Sequence, residues 1–147
     1  MRFRVQAHVT YKCRYHIIWI PKYRRKTLVS GVDKYFCKVM DTTVAERYPD
    51  VVVLERNVLP DHIHILLEIP PKYSVSSIVG SIKAHTAREM RKRFEYLGRS
   101  NGMWSVGYFV STVGTNETII KTYIQNQEKQ DTGRSEIVLG KDTTGVA

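Results

Sequence analysis

His62 and His64 stand two apart in the run Pro60-Asp61-His62-Ile63-His64-Ile65-Leu66-Leu67-Glu68-Ile69-Pro70. The run is apolar, β-branched and bounded by prolines, which predicts a strand. On a strand, residues two apart share a face. Ile63, Ile65, Leu67 and Ile69 then enter a core, while His62, His64, Leu66 and Glu68 point the other way. Two adjacent imidazoles on a rigid strand make half of a metal site; equally, they suit a solvated sheet face. A second chemistry-bearing stretch is Ile119-Ile120-Lys121-Thr122-Tyr123-Ile124-Gln125-Asn126-Gln127. Its period is helical, so Tyr123 and Gln127, four apart, share a face. A phenol and a neutral oxygen ligand there could complete a two-histidine site. Tyr123 could equally be a half-buried core aromatic, and neither stretch decides alone.

These side chains need a frame. Residues 1–10 show no clear pattern, though Arg2 and Arg4 could touch a phosphate. Residues 11–20, aromatic and β-branched, predict a first strand ended by Pro21. Lys22-Tyr23-Arg24-Arg25-Lys26 follows as a basic loop. It reads as a solvated turn or as a phosphate-contacting loop with Tyr23 available to stack on a base. Ser30-Gly31-Val32-Asp33 predicts a capping box, opening a helix to about Tyr48 with Val32, Tyr35, Phe36, Val39, Met40, Thr43 and Val44 inward. A strand over 51–58 then forms a hairpin with the histidine strand. Ser74 caps a helix running to about Phe94. Its inner face carries Val75, Ile78, Val79, Ile82, Thr86 and Met90, and its outer face Lys83, Arg88, Arg91, Lys92 and Arg93. Residues 104–113 predict a fourth strand, and Gly114-Thr115-Asn116 caps a third helix from Glu117 to about Gln130. The order strand, helix, strand, strand, helix, strand, helix is that of an α+β, ferredoxin-like (RRM-like) fold. It has an antiparallel sheet, two covering helices and an added C-terminal helix bearing the tyrosine.

Composition bounds the class. The 147 residues suit one domain, assigned to 1–131, with 132–147 as a C-terminal tail expected to be flexible. A hydrophobic content of 42% supports a real core. No apolar run approaches the ~18 residues of a membrane span. Met1-Arg2-Phe3-Arg4 lacks the apolar segment expected of a signal peptide. Cys13 and Cys37 lack metal-ligand or disulfide-framework spacing, which points to reduced residues in the cytoplasm. The net charge of +9, with basic residues clustered at 22–26 and 88–93, suggests a polyanionic partner.

Taken together, these blocks resemble a family, the single-tyrosine transposases of the HUH superfamily found in IS200-like insertion sequences. His62-Ile63-His64, preceded by Asp61, resembles the His-hydrophobic-His signature. Tyr123 matches the nucleophile position, and Gln127 that of the third metal ligand. Tyr15-His16-Ile17-Ile18-Trp19 with Lys22-Tyr23-Arg24-Arg25 is similar to the opening block, and Trp104-Ser105-Val106-Gly107-Tyr108-Phe109-Val110 to the last strand. The likeness covers about residues 10–130, in the family's order.

The resemblance implies cutting and rejoining of hairpin-bearing single-stranded DNA through a 5′-phosphotyrosine link. The divalent ion, Mg²⁺ or Mn²⁺, would be held by His62, His64 and Gln127. It also implies a homodimer whose active sites are shared between subunits. Asp61, off the histidine face by parity, suits a supporting group behind a ligating histidine. Lys22, Tyr23, Arg24, Arg25, Lys83, Arg88 and Arg91 are the candidate DNA contacts. Three rivals stand beside this reading. One is a domesticated relative with the same strand-cutting chemistry. Another is a non-catalytic RRM-like module, disfavoured because the third strand offers histidines where such modules display aromatics. The last is a metal phosphohydrolase that would not need Tyr123.

Overall fold

The computed structural model describes residues 3–6, 9–98, 102–114 and 116–133. Arg2 and almost all of the predicted tail, residues 134–147, lie outside the described residues.

Two pieces of sheet are present. A small hairpin pairs β1 (Arg4–Gln6) with β2 (Val9–Tyr11). The main sheet contains β3 (Arg14–Trp19), β4 (Val52–Leu59), β5 (His62–Glu68) and β6 (Phe109–Ser111), in the order β4-β5-β3-β6 with every pair antiparallel. The helices are α1 (Val32–Arg47), α2 (Val75–Arg93) and α3 (Glu117–Asp131). With the hairpin set aside, this is the ferredoxin-like order anticipated from the pattern, plus a third helix.

One face of the sheet carries the core. Ile17 and Trp19 of β3 and Ile63, Ile65 and Leu67 of β5 are fully buried, in one cluster with Val32, Phe36, Met40 and Val44 of α1 and Ile78, Val79, Ile82 and Met90 of α2. Trp19, Phe36 and Trp104 meet edge to face, with ring centroids 5.6–6.3 Å apart. Register fixes the other face. His64 lies opposite Ile18 and Asn57, Leu66 opposite His16, and Phe109 opposite Ile18. Directly paired residues share a face, so His16, Ile18, His64, Leu66 and Phe109 stand together there, with His62 two residues from His64. Ile18 is fully buried, so this face is covered too.

Several predicted boundaries shift for physical reasons. The first strand divides, because Val9–Tyr11 turns away to pair with Arg4–Gln6, a hairpin the sequence did not suggest. The capping box at Ser30 is replaced by Gly31 at the N-cap, with φ 97°. That left-handed conformation suits glycine, and the Gly31 N–H donates to Asp33 Oδ1. The fourth strand shrinks to Phe109–Ser111. Upstream, Trp104 makes only an isolated bridge to Pro21, and Gly107 takes a φ of 94° that interrupts extended pairing. Ser74 and Asn116 cap α2 and α3 by accepting from Ser77 and Ile119 backbone N–H groups. No helix among the described residues is long and apolar enough to cross a membrane.

Candidate active site

The histidine pair rides on β5, a central strand paired on both sides, with β4 and β3. His62 and His64 are half-buried. The Asp61 carboxylate accepts from His62 Nδ1 at 3.0 Å, which leaves Nε2 of that ring as the outward lone pair. Asp61 also accepts from Arg24 Nε at 3.0 Å. Burial alone would raise the Asp61 pKa, but the hydrogen bonds and charges of His62 and Arg24 carry it below the ordinary carboxylate value. Burial lowers the His64 pKa, and the neighbouring His16 and His62 lower it further. His64 is therefore a neutral imidazole with a lone pair available at physiological pH. Its Nε2 lies 3.3 Å from His16 Nδ1.

Helix α3 presents the phenol. Tyr123 packs against Phe109 with ring centroids 6.0 Å apart, so it reaches the sheet face that carries the histidines. Its Oη is buried and has no hydrogen-bond partner. Burial, with a smaller push from Asp131, raises its pKa well above the ordinary phenol value. One turn on, Gln127 is 8% exposed. Its Nε2 donates to Gln130 Oε1 at 3.5 Å, leaving the carbonyl oxygen as acceptor. The predicted sharing of a helix face by these two residues thus holds in burial as well as spacing.

The basic loop anchors α3. Lys22–Arg24 forms a single 3₁₀ turn in which Tyr23 and Arg24 both take positive φ, 59° and 54°. Such values are strained for side-chain-bearing residues and need external support. Asp131 supplies much of it, accepting from the Tyr23 backbone N–H at 2.9 Å and from Ser105 Oγ at 2.8 Å, with Lys22 Nζ 3.8 Å away. Arg24 bridges Asp61 and Glu128, donating to Glu128 at 3.1 Å. A continuous polar chain therefore runs His62–Asp61–Arg24–Glu128, from the histidine strand to the tyrosine helix. The Tyr23 ring lies under Lys22 and Arg25 cations at 5.5 and 5.0 Å. Beside it is an open cleft of about 290 Å³ lined by Lys22, Arg25, Thr27 and Tyr96.

The remaining candidates separate. Arg88 and Arg91 are exposed on α2, with Arg88 hydrogen-bonded to His85. Lys83 is not on that open face. Its ammonium donates to the Ser105 and Gly107 carbonyls at 2.8 and 2.7 Å, and burial lowers its pKa to about 8. Glu68 shares the histidine face but is committed to Arg4 and to Arg14, the latter at 2.9 Å. Sequence reading gave no role of their own to His16, Asp131, Glu128 or Tyr96. Parity could have placed His16 on an outward face, but only cross-strand register shows which residue it meets. Among the described residues, no group of three or more His, Cys, Asp or Glu is set to hold a metal ion. A metal site here would have to rest on the neutral set of His62, His64 and an amide oxygen, and their free lone pairs fit such a role.

Comparison with known proteins agrees with this layout. Residues 9–127 match the family model described as "Transposase IS200 like". The transposase for insertion sequence element IS200 of Salmonella typhimurium is 36% identical over 128 residues, covering 85% of this chain and 83% of that protein. The ISDra2 transposase TnpA of Deinococcus radiodurans is 30% identical over 125 residues, covering 82% and 88%. Among solved structures, a candidate transposase from Deinococcus radiodurans superposes with a TM-score of 0.77 at 28% identity, over 84% of this chain and 97% of that one. A REP-associated tyrosine transposase solved on a REP hairpin shares the fold, with a TM-score of 0.53 at 14% identity over 88% and 76%. Matched along most of its length by the family model and by these relatives, the chain belongs to the IS200-like transposase family.

Proposed function

We propose that this transposase cuts and rejoins single-stranded DNA at hairpin-bearing ends of a mobile element, with Tyr123 as nucleophile. The observation that carries the reading is the Tyr123 hydroxyl, buried without a hydrogen-bond partner and packed on the sheet face that bears His62 and His64. An orphaned buried hydroxyl is costly, and a nucleophile awaiting its phosphate accounts for it. His62, His64 and Gln127 would hold a divalent ion, Mg²⁺ or Mn²⁺, and the neutral donor set favours Mn²⁺. When bound, the ion polarises the scissile phosphate and orients it.

The chain's own groups do the rest. Asp61 fixes the His62 ring so that Nε2 faces outward. The Tyr123 oxygen attacks phosphorus, the bond from phosphorus to the 3′ oxygen breaks, and the freed 3′ oxygen leaves as a hydroxyl after taking up a proton. The phenol proton is released as the new bond forms. Because the 5′-phosphotyrosine link conserves the phosphodiester, an incoming 3′-hydroxyl reverses the step and joins strands without ATP. Lys22, Arg24, Arg25, Arg88 and Arg91 contribute salt-dependent attraction to the DNA backbone, and Tyr23 contributes stacking.

The family resemblance adds a homodimer with shared active sites to this proposal, Tyr123 of each subunit serving the partner's histidine pair in place of the pair on its own sheet face. Mixing Tyr123→Phe subunits with His62→Ala/His64→Ala subunits tests it on a labelled hairpin-bearing single strand. In the shared arrangement, a heterodimer holds one site lacking both parts and one intact site, so cleavage returns. A mixture as inactive as its two components would contradict sharing.

A further inference from the structure

His16 is the third imidazole on the face that bears His62 and His64. It sits on β3 opposite Leu66, one pairing step along from the Ile18–His64 pair, so its ring approaches His64 diagonally across the strands. The ring centroids are 5.5 Å apart with planes inclined at 52°. The facing nitrogens, His16 Nδ1 and His64 Nε2, are 3.3 Å apart. That separation admits a long hydrogen bond when one ring donates to the other, and it also admits a shared ion. Two nitrogens that each bind one tetrahedral ion at roughly 2.0–2.1 Å stand about 3.3–3.4 Å from each other. Both rings are half-buried, and both belong to a sheet whose register fixes their spacing.

We propose that His16 is a metal-ligating residue, forming with His64 a two-imidazole bite for a borderline divalent ion such as Zn²⁺ or Co²⁺. The proposal rests on the reading of His64 as a ligand and adds to it. His64 takes part in two pairings, with His62 along its own strand and with His16 across to the next. Imidazole nitrogens favour later transition ions over Mg²⁺. His16 therefore sets ion preference, drawing the site toward Zn²⁺ and Co²⁺ and giving such ions a foothold that does not require His62.

Co²⁺ binding, followed by visible absorption and by calorimetry in the absence of DNA, tests this on the full chain. The variants are His16→Asn, His16→Phe, His62→Ala and His16→Asn/His62→Ala, with circular dichroism to confirm folding. His16→Phe keeps a ring in the packed space, so a misfolded His16→Asn leaves the test in place. Replacing His16 should weaken Co²⁺ and Zn²⁺ binding roughly tenfold or more and change the bound-Co²⁺ spectrum, while Mg²⁺ affinity moves little. His62→Ala should retain measurable Co²⁺ binding, and the double variant should lose it. Wild-type Co²⁺ affinity and spectrum in the His16 variants would overturn the proposal. So would equal loss of Mg²⁺ and Co²⁺ affinity, the mark of a ring that only steadies His64 by a hydrogen bond. Complete loss of Co²⁺ binding in His62→Ala would also overturn it, leaving the Tyr123 reading untouched because adduct formation is measured separately.

Discussion

Tyr123 carries a structural cost that its proposed role as nucleophile would explain. Its hydroxyl is buried and unpaired, a condition that costs about 1–3 kcal/mol relative to a satisfied or solvated group. Removing the oxygen while keeping the ring should therefore not harm the fold. Tyr123→Phe is expected to unfold at the wild-type temperature or above it, with up to about 1 kcal/mol of added stability, as read by thermal denaturation. A clear drop in stability would mean that the hydroxyl is held by an interaction the fold depends on. The sequence made this residue and the histidine pair legible because their geometry is local. A period of two placed His62 with His64, and a spacing of four placed Tyr123 with Gln127. The partners of Lys83 were hidden for the complementary reason. Helical periodicity put it opposite the core stripe, but not beneath the segment whose Ser105 and Gly107 carbonyls take its ammonium.

Among the elements, the chain's least regular pieces hold the site together. The small β1–β2 hairpin went unread because Phe3, Val5 and Val9 are exposed and give no burial pattern to detect. It is fastened to the main sheet through Glu68, which is 1% exposed and accepts from Arg4 and Arg14. Burial pushes the Glu68 pKa up, but the two guanidiniums outweigh it and hold the folded-state value below the ordinary 4.5. A carboxylate with a depressed folded pKa contributes stability above its unfolded value, and that contribution is lost as pH falls through the folded one. Wild-type stability should therefore decline below about pH 4.5. Glu68→Gln should be less stable near neutrality by roughly 2–3 kcal/mol, under the full cost of a wholly buried pair because both arginines keep some solvent contact. It should also show a shallower acid decline. Denaturant titrations from pH 3 to 7 decide the matter, and equal pH slopes for the two proteins would remove Glu68 from this role. The shortened β6 was likewise hidden, since its length depends on the positive φ of Gly107 and on Lys83, neither of which hydrophobic alternation reports.

For the whole molecule, the ferredoxin-like order was readable from the sequence because each long helix and central strand carries its own period. The way α3 is moored was not. It depends on Glu128 and Asp131 meeting Arg24, Tyr23 and Ser105 across more than twenty residues of intervening chain. The charge of +9 is a whole-molecule property with a measurable consequence. Single-strand binding should weaken steeply with salt, and Arg25→Ala or Arg91→Ala should each reduce the log–log slope by about 0.7. Lys83→Met should leave that slope unchanged and lower stability by roughly 1–3 kcal/mol, because two carbonyls lose their donor. A slope loss in Lys83→Met equal to that of the arginine variants would return Lys83 to the DNA surface. Covalent capture is the most direct test of the proposed activity. Wild-type and Tyr123→Phe proteins are incubated with a labelled, hairpin-bearing single strand and Mn²⁺, then resolved under denaturing conditions. The wild type should yield a protein–DNA adduct and a fragment ending in a free 3′-hydroxyl, while Tyr123→Phe binds the hairpin and yields neither. Cleavage by Tyr123→Phe at the wild-type rate would contradict the assignment of Tyr123 as nucleophile.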